Sequence, residues 1–140
     1  MKMKSFFSIV LFIAVAIAQR ATIGLPVEDQ RINSGKDVVV QVQRPNSLSP
    51  SKEMGVAIGL SSCKSSPCRD ADEVLGTILY NGPFNPQYYE PSLPPYENFT
   101  VTVPASATIG KSQINIAHAA LIGAGPSAFL ESLNQTVFVV

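Results

Sequence analysis

The chain has one histidine, His118, set in the apolar run INIAHAALIGAG from Ile114 to Gly125. Imidazole is the side chain best matched to acid-base work near neutral pH, so its neighbours decide what it can do. A Ser-His-acid site needs a nucleophile in a shaped elbow, and the chain has no G-x-S-x-G. Period-two alternation instead puts Ile114, Ile116, His118, Ala120 and Ile122 on one strand face, where a hydrogen-bonded structural ring is the expectation. On that reading His118→Ala costs only modest stability and leaves any activity in place. Asp70, Asp72 and Glu73 in RDADE alternate as calcium ligands can, but the run lacks the further ligand and sharp-turn glycine of a calcium loop. It reads as a solvated acidic loop offset by Lys64 and Arg69. Cys63 and Cys68, in CKSSPC, fall short of a four-ligand zinc site and are expected to form a disulfide that shapes one loop. We therefore assign no catalytic residue, no metal and no cofactor, and expect no enzyme.

Binding chemistry is carried by a different stretch. GPFNPQYYEPSLPPYE, from Gly82 to Glu97, holds five of the eleven prolines, three of the four tyrosines, and Phe84. Prolines stiffen a loop, and aromatic rings offer large contact area at low entropic cost. Phe84, Tyr88, Tyr89 and Tyr96 are therefore candidate partner-binding residues. The other reading of the same rings is that they fold back to cover the open end of the domain.

The elements around these residues are strands. Alternation predicts them over Thr22–Val27, Asp37–Gln43, Met54–Ser61, Val74–Tyr80, Glu97–Val103, Ser112–Ile122 and Asn134–Val140, with turns at Asn33-Ser34-Gly35, Arg44-Pro45-Asn46, Asn81-Gly82-Pro83 and Pro104 through Gly110. Val38, Val40 and Val42 share the inner face of the second strand, and Met54, Val56, Ile58 and Leu60 that of the third. One helical turn is expected at Ser127–Leu133, packing Ala128, Leu130 and Leu133 on the sheet. Seven short strands in one domain predict an all-β fold, a small antiparallel β-sandwich of immunoglobulin or fibronectin type.

The first residues set the compartment. Lys2 and Lys4 precede an apolar stretch from Phe6 to Ala18 that ends in Ala16-Ile17-Ala18, the pattern of a secretory signal peptide. The run is too short to span a bilayer, which takes about 20 residues, so no membrane anchor is expected. Residues 1–18 are thus a leader and residues 19–140 one secreted domain. Removing the two lysines leaves eight basic against ten acidic residues, a net charge of −2, which argues against a nucleic-acid partner. A monomer is expected. Asn98-Phe99-Thr100 and Asn134-Gln135-Thr136 are N-glycosylation acceptors, so Asn98 and Asn134 are expected to carry sugars.

The runs VLGTILYNGPF, ENFTVTVP and GKSQINIAHAALIGAGPSAFLESLNQTVFVV resemble the necrosis-inducing secreted protein family of fungal effectors, mainly over residues 74–140, with a looser fit from Asp37 to Ser61. The most specific parts are the strand ending in Pro104, Gly110, the run around His118 and the Asn134-Gln135-Thr136-Val137 segment. The resemblance implies a secreted virulence protein that binds plant immune-receptor-associated kinases and suppresses defence signalling or induces cell death. It implies no enzyme and no catalytic residue, so His118 carries over only as part of a strand motif. The proline-aromatic segment and CKSSPC are where this chain departs from the family pattern. The alternative reading is an extracellular immunoglobulin-like adhesion or matrix module without an effector role.

Overall fold

A computed structural model describes residues 20–46 and 50–140. The leader expected at residues 1–18 lies outside them. All regular elements among the described residues are strands: β1 (Thr22–Leu25), β2 (Gln30–Ile32), β3 (Asp37–Gln43), β4 (Ser51–Ser62), β5 (Thr77–Gly82), β6 (Tyr96–Thr102), β7 (Gly110–Ile122) and β8 (Ser127–Val139). They form two sheets, ordered β1-β3-β6 and β2-β8-β7-β4-β5. The fold is an all-β sandwich. Every pairing is antiparallel except β2 with β8.

The alternation read from the sequence fills the space between the sheets. Val40 and Val42 of β3 and Phe99, Val101 and Val103 of the β6 segment face Val56, Ile58 and Leu60 of β4, Ile114 and Ile116 of β7, and Val137 and Val139 of β8. Ile58, Ile114 and Ile116 are wholly buried, and each such side chain contributes about 1.5–3 kcal/mol by leaving water. All of these residues but Leu60 are β-branched or aromatic, the types that fit a pleated, half-buried surface.

Four features differ from the sequence expectation. Ser127–Leu133 is not helical. It is the first half of β8, paired with β7 across a tight turn at Gly123–Pro126, with Leu121↔Ala128 through Ala117↔Ser132 in register. Long-range backbone pairing overrides the local spacing that suggested a helical turn, and Leu130 points to solvent instead of packing on the sheet. Met54 is 58% exposed, because the β4–β7 register shifts between Glu53 and Gly55. The extra residue turns Met54 outward and its predecessor Glu53 inward. Finally, β5 begins at Thr77, after a segment that includes Val74 and crosses the outer face of the five-stranded sheet, and the short β2 was not anticipated.

Candidate functional site

His118 lies on the inward face of β7, as alternation requires, and is 3% exposed. Cross-strand pairing sets Glu131 of β8 directly opposite it. The bulge in β4 brings Glu53 in from the other side. His118 Nδ1 lies 3.0 Å from Glu131 Oε1, and Nε2 is in close contact with Glu53 Oε2. The chain of charges continues at both ends. Arg44 Nη1 donates to Glu53 Oε1 at 3.3 Å, the Ala21 N–H donates to Glu131 Oε1 at 2.7 Å, and Arg20 Nε lies 3.6 Å from Glu131 Oε2. Glu53, His118 and Glu131 belong to the five-stranded sheet, whereas Arg44 follows β3 and Ala21 precedes β1, both in the other sheet. The network therefore laces the two sheets together at one end of the sandwich. Phe84 and Phe129 meet the imidazole at 5.4 and 6.4 Å between ring centroids, both near-perpendicular.

Burial by itself pulls the His118 pKa down. The hydrogen bonds to Glu131 and Glu53 and their negative charges overcome it, and the ring is raised to about 9. At neutral pH it is an imidazolium with both N–H groups committed to carboxylates. Such a ring has no free lone pair with which to take a proton from a substrate. The arrangement is a charged link between the two sheets.

The proline-aromatic segment connects β5 to β6 and divides into two pairs of rings. Phe84 is buried and packs on Phe99 at 6.2 Å, with Tyr80 on the same ring at 4.5 Å. Tyr96 is also buried, and its hydroxyl donates to Glu90 Oε2 at 2.9 Å. These two candidates for partner binding are corrected to structural rings, since a side chain packed inside the domain has no face to offer. Tyr88 and Tyr89 are different, at 62% and 63% exposed. Tyr89 rests on Tyr96 at 5.0 Å, and the Tyr88 hydroxyl donates to Asn46 Oδ1. Paired backbone bonds between Gln87 and Tyr96, and a bond from the Asn85 N–H to Glu97 Oε1 at 2.7 Å, hold the loop against β6. The covering reading of the loop thus holds for Phe84 and Tyr96, while Tyr88 and Tyr89 stand exposed.

Cys63 and Cys68 form a disulfide, with Cα atoms 4.8 Å apart. The segment it opens lies over the outer face of β7, where Gln113 Nε2 donates to the Arg69 carbonyl at 2.7 Å and Asn115 Nδ2 to the Leu75 carbonyl at 3.2 Å. Alternation alone gave these two buried amides an outward position without their cover. Asp70, Asp72 and Glu73 are exposed on this segment, and Glu73 is paired with Arg69 at 3.2 Å.

A family model matches residues 16–138. The chain belongs to the Nis1 family. A search of curated proteins found no match for this Nis1 family member. Among solved structures, the fibronectin(III)-like modules of Clostridium thermocellum CbhA align over 86% of this chain and 94% of theirs, at 16% identity and a TM-score of 0.41.

Asn98 and Asn134 are both exposed, on faces of β6 and β8 that point away from the core. In this Nis1 family member each side chain has room for a glycan in water. Protein recovered from a eukaryotic secretory host should lose mass when treated with an N-glycosidase, and Asn98→Gln with Asn134→Gln should abolish that loss. An unchanged mass for the wild type would show that neither acceptor is used.

Proposed function

We propose that this Nis1 family member is a secreted effector that acts by binding a host protein, without catalysis and without a cofactor. Its partner is a plant immune-receptor-associated kinase, and capture of that kinase suppresses defence signalling or induces cell death. Family membership and the motifs around Pro104, Gly110 and His118 support the partner class. The observation that carries the mode of action is the exposure of Tyr88 and Tyr89 on a loop fixed by five prolines and by its bonds to β6. Large rings held in place before binding are the anchors from which interface hot spots are made, because little freedom remains to be lost.

Replacing Tyr88 and Tyr89 together by alanine should weaken binding to purified kinase domains by about 2 kcal/mol or more. The melting temperature should stay near that of the wild type, because both rings are mostly in solvent. Melting and binding are to be measured on one preparation. Unchanged affinity would remove the loop from the interface, and a wild-type domain that captures no kinase would remove the partner class.

A further inference from the structure

β2 covers the outer edge of β8 only at Val137–Val139. Among the described residues no strand pairs with Ser127–Leu133 on the side away from β7. The direction of the free backbone groups follows from the bonds that are made. Thr136 O accepts from Asp29 N at 2.8 Å, Val140 exchanges bonds with Ile32 and Ser34, and Ser132 O accepts from Arg20 Nη2 at 3.1 Å. Even-numbered residues of β8 therefore direct N–H and C=O to this edge; Ala128 and Leu130 are open along it, and at Ser132 the N–H is open while the carbonyl is taken by the exposed Arg20 side chain.

Long edges of this kind are ordinarily blunted by proline, lysine, a bulge or an inward charge. Ser127–Leu133 has neither proline nor lysine, and its pairing with β7 runs in unbroken register. Its one charge, Glu131, is inward and already met by His118 and the Ala21 N–H, so pairing along the edge adds no uncompensated charge. Leu130 stands at the middle of the run, 75% exposed. The rest of the row is small: Ala128 on one side, Ser132 on the other.

We propose that this half of β8 is a self-association edge, at which two copies pair antiparallel with Leu130 on the two-fold axis and their five-stranded sheets become continuous. In that register Leu130 meets Leu130 of the second copy, Ala128 meets Ser132, and Phe129 lies opposite Glu131 on the inner side. No like charges face each other, and the exposed leucine is covered by its own copy. The interface is isologous, as closed two-fold pairing requires. Pro126, which has no N–H to give, falls opposite Asn134 and ends the ladder. The arrangement replaces the monomer expected from sequence and does not depend on the identity of any host partner.

The test uses the mature protein carrying Asn134→Gln, so that no sugar lies beside the edge. Sedimentation equilibrium should show a monomer and dimer in concentration-dependent exchange. Leu130→Lys, which places two like charges directly opposite each other, should weaken association by about tenfold or more. Leu130→Cys should oxidise to a dimer linked through residue 130, since directly opposed Cα atoms about 5.5 Å apart lie within disulfide reach. Non-reducing peptide mapping should find that link with Cys63–Cys68 intact. Ala128→Cys should not link to itself. A protein that stays monomeric at millimolar concentration, a Leu130→Lys variant that associates as before, or self-linking at residue 128 in place of 130 would each overturn the proposal.

Discussion

His118→Ala should destabilise the domain by about 3–5 kcal/mol, the usual effect of removing one partner from a buried ionic group and leaving its counter-charges in place. Glu53 and Glu131 would face each other inside the sandwich with no cation between them, held only by Arg44, Arg20 and the Ala21 N–H. This is far more than the modest loss expected while the ring was read alone. Chemical denaturation at pH 6 to 7 measures it, and a loss below about 1 kcal/mol would show that the carboxylates relax to solvent. The pH profile gives a second, independent readout. The folded pKa of about 9 lies above the ordinary 6.5, so the folded state holds this proton more tightly than the unfolded chain. The contribution is complete below about pH 6.5, declines as pH rises from there, and is gone above about 9. Wild-type stability should fall across that window, and His118→Ala should lack that component of the fall.

Phe84→Ala should cost about 3–4 kcal/mol of stability, in the range for a buried aromatic truncated to alanine. The ring fills the space between Phe99 and the imidazole, so its removal opens a void beside the charged network. The comparison with Tyr88 and Tyr89 is informative, because the residues share one loop and one composition. Loss of Phe84 should lower the denaturation midpoint and leave the affinity of the still-folded fraction unchanged. If Phe84→Ala melts like the wild type but binds more weakly, the ring belongs to the contact surface and its position in the core is wrong.

The inner face of β7 was legible because alternation is a local property: Ile114, Ile116, His118 and Ala120 point one way whatever pairs with the strand. The partners of His118 were not. Glu53 is concealed by a bulge, since one inserted residue exchanges the two faces of everything before it, and no composition rule marks Met54 as that residue. Glu131 is concealed by SAFLESL, whose apolar spacing suits a helical turn as well as a strand. Only its ladder with β7 decides between them. Likewise Tyr88 and Phe84 are alike in type and setting, and their opposite fates depend on which ring reaches the gap beside Phe99. The candidate site was therefore visible as a segment and as a histidine, and invisible as a set of contacts between residues far apart in sequence.

The order of the strands has a consequence for how the protein folds as it is made. β8, the last of the eight strands to be synthesised, is an interior member of the five-stranded sheet, flanked by β7 and by β2 from the opposite end of the sequence. Until it emerges, β2 has no partner, β7 lacks one side, and His118 lacks Glu131. The nascent polypeptide thus cannot complete the five-stranded sheet or the His118 network before β8 is made. Folding of such non-local topology is slow relative to local structure, which lengthens the interval in which the larger sheet stays open.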